Sequence, residues 1–157
     1  MNQRAMELEA RYDLDDSIPY VIYRITNKLN QDIHERLRSS GITLSKWRLL
    51  SSLKSRGTCT IGELATCTVM QHPVVSRILT EMENEGLVKR HSSSADHRLV
   101  HIRLTRKGEQ SFGVAFEAAE KHRQRALEGF SPADTQMLLA MLRTIQDNIG
   151  IAPGGIR

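Results

Sequence analysis

Residues 60–90 read TIGELATCTVMQHPVVSRILTEMENEGLVKR, and this stretch decides the fold. Thr60 and Glu63 form a capping-box pattern, in which the hydroxyl and the carboxylate each satisfy a backbone N–H at the start of a helix. The pattern predicts a short helix that begins after Thr60 and continues to about Cys67.

A second helix is predicted directly after this one. Residues 68–71 form a brief turn, and Pro73 follows as the expected first residue of the helix, a position that tolerates proline. Gly86 closes the helix, and its predicted buried face consists of residues spaced three or four apart: Val75, Ile78, Leu79 and Met82. Two short helices joined by a tight turn indicate a helix-turn-helix.

The hydrophobic period then changes from about 3.6 residues to 2, which indicates strands. A first strand begins at Leu87, and a second covers residues 99–104 after a polar turn. Val100, Ile102 and Leu104 face one way along the second strand, whereas His101 and Arg103 face the other. The sequence therefore predicts a β-hairpin with a polar, basic tip.

Long helices flank this central part. Ser17 is a candidate helix cap before a continuous apolar stripe that ends at residues 39–41. A second helix stops before Gly57. Thr105 is the expected cap of a long helix after the hairpin, and Ser131 precedes the last helix. The predicted fold is mainly α with a small β-hairpin wing (α+β), a winged helix-turn-helix.

The outer helices predict a homodimer. A chain of 157 residues fits one domain, residues 1–157, with a winged helix-turn-helix lobe at residues 43–104. This compact core cannot cover all the apolar stripes of residues 17–40 and 105–149, so a second copy of the chain is expected to bury them. The alternative is an intramolecular bundle of the three terminal helices.

Composition limits the compartment. No run approaches the roughly 18 apolar residues of a membrane helix, and the first residues lack a secretory pattern. Two cysteines, Cys59 and Cys67, are too few for a disulfide framework. We therefore expect a cytoplasmic protein without membrane contact.

The net charge of +4 is concentrated in one segment. Six of the 22 Lys and Arg residues lie between Leu87 and Lys107, beside the single acid Asp96. The other 16 basic and 17 acidic residues nearly balance. A basic patch on a balanced chain indicates a polyanionic partner, although a solvated basic face is the alternative.

From about Ser17 to Ile149, the chain resembles the MarR family of bacterial regulators. Four motifs carry the resemblance: IGELA at residues 61–65; VSR at 75–77 followed by EGLVKR at 85–90; DHR at 96–98; and IRLT at 102–105 leading to Gly108. The proline at the start of the second short helix is similar to the SlyA-like branch. The resemblance implies a triangular dimer, with interlocked terminal helices and two winged helix-turn-helix lobes that bind double-stranded DNA.

The second short helix is the expected recognition helix, because a helix fits the major groove of B-DNA. Its solvent-facing residues are the candidate base contacts: Gln71, His72, Pro73, Val74, Ser76, Arg77 and Thr80. Arg77 is the strongest candidate for guanine or phosphate, and its alternative is an ion pair with Glu81 within the helix.

The hairpin is the expected wing. The resemblance gives Arg98 the role of an arginine in the minor groove, where a narrow A·T-rich groove attracts positive charge. Asp96 is expected to orient a wing guanidinium, and His97 to make wing binding sensitive to pH. Phosphate contacts are expected from Lys89, Arg90 and Arg103.

The resemblance also implies a pocket for a small aromatic or phenolic carboxylate between the dimer-forming helices and the DNA-binding lobe. The candidate lining residues are Arg24, Asn27, Asn30 and Trp47, with ordinary core packing as the alternative for Trp47. The expected function is a ligand-responsive repressor that binds a pseudo-palindromic operator as a homodimer.

Other function classes have weaker support. No nucleotide-binding, metalloprotease or hydrolase motif is present, so no enzyme activity and no cofactor are expected. A winged helix that only contacts proteins is one alternative. A redox-responsive regulator, with the pKa of Cys59 lowered by the adjacent helix start, is another. A metal-responsive regulator using His97 and His101 is a third, but no accompanying ligand cluster supports it, so no metal is expected.

Overall fold

The structure is a computed structural model that describes residues 13–92 and 100–151. The helices in this part of the chain are α1 (Ile18–Leu37), α2 (Leu44–Arg56), α3 (Ile61–Thr68), α4 (His72–Asn84), α5 (Arg106–Ala126) and α6 (Pro132–Asn148), with a 3-10 turn at Arg38–Ser40. The strands are β1 (Cys59–Thr60), β2 (Val88–Ser92) and β3 (Val100–Leu104). The predicted fold class, mainly α with a small β wing, is confirmed.

Side-chain caps fix where four of the helices begin. The hydroxyls of Thr43, Thr60, Thr105 and Ser131 each accept a hydrogen bond from the backbone N–H three residues further on. The predicted capping box is confirmed, because the Glu63 carboxylate also accepts from the Thr60 N–H at 2.6 Å. Each such cap typically contributes about 1 kcal/mol.

One expected cap and one helix start differ from the prediction. Ser17 is the residue before α1, but its side chain makes no capping hydrogen bond. Helix α4 begins at His72, one residue earlier than predicted, so Pro73 is its second residue. Proline is tolerated there because the first four N–H groups of a helix have no intrahelical partner.

The strands form an antiparallel sheet in the order β1-β3-β2. The hairpin was predicted, whereas β1 was not. Cys59 pairs with Ile102 across β1 and β3, and His91 pairs with His101 across β2 and β3. In β3, Ile102 is buried and Arg103 is exposed, so the alternation predicted at these two positions is confirmed.

The core lies between the helix-turn-helix, α2 and the sheet. Its fully buried large side chains include Leu49, Leu50, Leu53, Leu64, Leu79, Met82 and Ile102. Helix α5 packs against α1, α2 and β3 and so connects this core to the N-terminal helix. Rings stack along the junction, since the Trp47 and Phe112 centroids lie 5.5 Å apart.

The outer helices keep exposed apolar faces. None of the residues of α6 is buried, and the exposed fraction is 59% for Met137 and 58% for Met141. On α1, Ile18 is 62% exposed and Tyr23 is 63% exposed. The described chain thus does not cover α6 in an intramolecular bundle, the alternative considered from the sequence. None of the described helices is both long enough and apolar enough to cross a membrane.

Candidate nucleic-acid interface and effector cavity

Helix α4 presents one face to solvent because its other face is fixed in the core. Val75, Ile78, Leu79 and Met82 are buried, as predicted. The seven predicted base contacts lie at other positions of α4 or, for Gln71, directly before it: Gln71, His72, Pro73, Val74, Arg77 and Thr80 are exposed, and Ser76 is half-buried. The structure therefore brings all seven onto one accessible surface.

Arg77 makes the ion pair that the sequence offered as its alternative role. Its Nη1 donates to the Glu81 carboxylate at 2.8 Å, and the Arg77 side chain remains 68% exposed. Exposed pairs of this spacing contribute only about 0.2–0.5 kcal/mol. A phosphate or a guanine edge can therefore replace Glu81 at small cost.

Arg90 was predicted as a phosphate contact, but its guanidinium is directed to α4. Its Nη2 donates to the Thr80 hydroxyl at 2.8 Å, and its Nε lies 3.2 Å from a Glu83 carboxylate oxygen. The Thr80 hydroxyl in turn donates to the Ser76 carbonyl at 3.0 Å. These contacts make Arg90 a link between β2 and the recognition helix.

Two predicted wing contacts share the outer face of the hairpin. Lys89 and Arg103 are both exposed and lie opposite each other in the β2–β3 register. Next to them on this face are His91 and His101, which are also cross-strand partners. The outer face of the described hairpin is therefore uniformly basic or imidazole-bearing.

The predicted tip contacts Asp96, His97 and Arg98 lie outside the described residues. The alternative metal site combined His97 with His101, so the described residues do not test it. Within residues 13–92 and 100–151, no three His, Cys, Asp or Glu side chains are grouped to hold a metal ion.

A cavity of about 360 Å³ lies between α1, α2 and α5. Its lining residues are Leu29, Asn30, Ile33, Leu44, Trp47, Arg48, Ala119, His122, Arg123, Ala126 and Leu127. Two of the four predicted pocket residues, Asn30 and Trp47, are thus in place.

The other two predicted pocket residues do not line the cavity. Arg24 lies on the exposed side of α1, where its guanidinium is 3.0 Å from the Asp15 carboxylate and 5.7 Å from the centre of the Tyr20 ring. Asn27 is also exposed. Trp47 combines both roles considered for it, because it stacks on Phe112 and lines the cavity.

The polar residues that the sequence analysis missed are Arg48, His122 and Arg123. The Arg48 Nη2 donates to the Asn30 side-chain oxygen at 3.0 Å and so joins α2 to α1. His122 occupies the apolar stripe of α5, between Ala119 and Ala126. The sequence did contain a signal for this residue, because a histidine at the helical spacing of an apolar stripe indicates a buried polar side chain.

Cys59 is not an activated thiol. It is fully buried, and burial raises the pKa of its thiol, with a smaller contribution in the same direction from Glu63. The sequence-based alternative of a lowered pKa is therefore wrong. Cys67 is half-buried, and its Sγ donates to the Leu64 carbonyl at 3.6 Å.

Alkylation of the native protein tests this assignment. We expect iodoacetamide to modify Cys59 at least about tenfold more slowly than Cys67, since the thiolate is the nucleophile and burial disfavours it. Peptide mass spectrometry after timed quenching gives both rates, and the same reaction in urea provides the unfolded control. Equal rates in the native protein would contradict the burial argument.

The fold and the exposed face of α4 define the class of protein to which this chain belongs. A helix-turn-helix followed by an antiparallel hairpin is a winged helix, the architecture of many DNA-binding proteins. A family model described as the MarR family matches residues 40–99.

Two curated relatives are similar over most of the chain. The HTH-type transcriptional regulator FarR of Neisseria gonorrhoeae is 32% identical over 115 residues, which cover 71% of this chain and 78% of FarR. The HTH-type transcriptional repressor IacR of Pseudomonas putida is 26% identical over 130 residues, covering 83% of this chain and 78% of IacR.

Solved structures agree in fold. A MarR family transcriptional regulator from Silicibacter pomeroyi superposes with a TM-score of 0.80 at 31% identity, covering 86% of this chain and 91% of that one. The repressor CouR, bound to a 23-mer DNA duplex, superposes with a TM-score of 0.74 at 26% identity. The match covers 84% of this chain and 94% of CouR. NadR in complex with 4-hydroxyphenylacetate superposes with a TM-score of 0.76 at 25% identity, and the match covers 86% of this chain and 94% of NadR.

This chain belongs to the MarR family and is a transcriptional regulator. The predicted family is thereby confirmed. Its SlyA-like branch stays a prediction, since none of the matching proteins described above carries that name.

Proposed function

We propose that the protein is a cytoplasmic repressor that binds a pseudo-palindromic operator as a homodimer and releases it when a small ligand binds. The observation that carries this proposal is the face of α4, where seven polar or small residues are accessible beside a basic hairpin. CouR, which shares the fold, was solved on a DNA duplex. Each α4 would enter a major groove, with the wing, including Arg98, over the adjacent minor groove.

The exposed apolar faces of α1 and α6 support the proposed dimer. In a two-fold assembly, the same face of each copy covers the other, so the two recognition helices are held at a fixed separation. Successive major grooves on one side of B-DNA are roughly 34–36 Å apart, which sets the separation that the dimer has to provide.

The cavity between α1, α2 and α5 is the proposed effector site. It adjoins α2, which belongs to the DNA-binding lobe, and α1 and α5, which belong to the dimerisation part. A ligand there can bias the distance between the lobes, and DNA must then weaken ligand binding by the same factor. The complex of NadR with 4-hydroxyphenylacetate supports a small aromatic carboxylate as the effector class.

The first test is a mobility shift with DNA from the region upstream of the protein's own gene, at several salt concentrations. A discrete complex of one dimer that weakens steeply with salt is expected, because phosphate contacts release counterions. A winged helix that only contacts proteins would give no specific complex. In that case, selection of bound fragments from the whole genome decides whether an operator exists elsewhere.

Arg77→Ala is expected to weaken operator binding by about 10- to 100-fold, the value of one bidentate contact to a base. Fluorescence anisotropy with a labelled operator measures the dissociation constant. Arg143→Ala removes the same charge from the exposed surface of α6 and should change it less than about twofold.

Two further variants sharpen this test. Glu81→Gln removes the ion-pair partner of Arg77 and should leave operator affinity unchanged or higher, because the guanidinium is then free. Arg77→Ala combined with Arg98→Ala should abolish specific binding. Full operator affinity in that double variant would exclude the proposed mode of DNA binding.

A further inference from the structure

The wall of the effector cavity includes a buried histidine, His122. His122 is only 9% exposed, and its Nε2 has no hydrogen-bond partner in the described chain. Buried polar atoms in proteins are almost always hydrogen-bonded, so an orphaned ring nitrogen in a cavity wall indicates a ligand atom or a water as its partner. A neutral imidazole nitrogen can donate or accept, depending on its tautomer.

Of the two arginines in the wall, Arg48 is the one whose charge no carboxylate of the described chain neutralises. Arg123 is already bidentate to Glu120, at 2.8 Å from Nε and 2.6 Å from Nη2, and this pairing lowers the pKa of the Glu120 carboxyl. Arg48 uses Nη2 for its hydrogen bond to Asn30, and a guanidinium carries five N–H donors in all. A carboxylate entering the cavity therefore meets Arg48 as its cation.

The remaining walls fit a flat apolar body. They are formed by Leu29, Ile33, Leu44, Trp47, Ala119, Ala126 and Leu127. The Trp47 ring and the small alanine side chains of α5 leave room for an aromatic ring between the two helices.

We propose that Arg48 and His122 are the two polar anchors of the effector and that they select a monoanionic aromatic acid with a second hydrogen-bonding group. Arg48 binds the carboxylate, and His122 Nε2 binds the second group, such as a ring hydroxyl. Arg123 takes no part in recognition. This inference rests on the proposed effector site and assigns its specificity to two residues.

Binding at Arg48 also supplies a route to the DNA-binding lobe. The Arg48–Asn30 hydrogen bond joins α2 to the dimerisation helix α1. A carboxylate that accepts from Arg48 competes with the Asn30 oxygen and so exchanges a protein–protein link for a protein–ligand one. The lobe can then move relative to α1.

Three probes separate the two anchors: 4-hydroxyphenylacetate, phenylacetate, which lacks the hydroxyl, and 4-hydroxyphenylacetamide, which lacks the charge. Titration calorimetry on the full-length protein is expected to rank 4-hydroxyphenylacetate about tenfold above each of the others. Wild-type protein that binds none of the three, or that does not distinguish them, would overturn the proposal.

Variants assign each preference to a residue. His122→Leu should abolish the preference for the hydroxyl, and Arg48→Gln should abolish the preference for the acid over the amide. Arg125→Gln, on the exposed surface of the same helix and outside the cavity, is the matched control and should change neither. Unchanged preferences in both the His122 and Arg48 variants, or their loss in Arg125→Gln, would refute the assignment.

A second variant and a second measurement separate loss of folding from loss of ligand selection. His122→Gln keeps a hydrogen-bonding side chain and should retain part of the hydroxyl preference if His122→Leu proves unstable. Operator binding without any probe is measured on the same samples by anisotropy. Its failure in the wild-type protein would count against the proposed repressor function, whereas intact operator binding with unselective probe binding would count against the two anchors only.

Discussion

Gly108→Ala is expected to lower the free energy of unfolding by about 3 kcal/mol, because overpacking against backbone is poorly relieved. A Cβ at position 108 would lie 2.0 Å from the Leu87 carbonyl oxygen and 3.0 Å from its carbon. That carbonyl cannot withdraw easily, since it accepts from the Thr105 N–H at 3.0 Å and the Thr105 hydroxyl at 3.2 Å. The first turn of α5 and the start of the hairpin would have to separate.

Gly113→Ala is the matched control in the same helix. A Cβ there meets nothing within 4 Å, and the residue is exposed. Alanine is the better helix former by about 1 kcal/mol, so this variant should be slightly more stable than the wild type. Urea unfolding followed by circular dichroism measures both. Similar stabilities of the two variants would show that the close approach of Gly108 to Leu87 does not constrain the fold.

Most helices and the hairpin were predictable from the sequence because their signals are local. Caps such as Thr60 with Glu63 lie within three residues of each other, and the buried face of α4 follows from its period alone. Strand β1 was missed for the opposite reason. Two residues carry no periodicity, and the pairing of Cys59 with Ile102 joins distant parts of the chain.

The same distinction applies to the candidate sites. The exposed face of α4 is the complement of its buried face, so its seven predicted contacts are accessible together. The ties of Arg90 to Glu83 and Thr80 depend on how β2 packs on α4, which no local pattern specifies. The cavity is likewise assembled from three helices that are distant in sequence.

Arg24 and Asn27, the two predicted pocket residues that do not line the cavity, show what helical periodicity can and cannot predict. Asn30 faces the cavity with Leu29 and Ile33. Because a helix turns about 100° per residue, Arg24 lies on nearly the opposite side of α1 from the middle of this set. Closeness in sequence to an apolar stripe is therefore not enough to predict a cavity residue. The angle between the residue and the stripe, measured around the helix axis, decides whether its side chain reaches the cavity.

Met141→Asp is expected to convert the proposed dimer to monomers. Met141 is 58% exposed and lies among the apolar residues of α6: Met137, Leu138, Leu142 and Ile145. Two-fold symmetry places the substitution in the interface twice, and burying an unpaired carboxylate costs several kcal/mol each time. The dissociation constant of the dimer should therefore rise by about 1,000-fold or more.

Light scattering coupled to size exclusion measures this change, with 17.8 kDa expected for one chain of the variant and twice that mass for the wild type. Gln136→Asp adds the same charge to the polar side of α6 and should remain dimeric. Operator affinity should fall with dimerisation, by about 100-fold or more, because a monomer contacts one half-site only. A Met141→Asp protein that stays dimeric would place the interface elsewhere and leave the apolar face of α6 without its proposed partner.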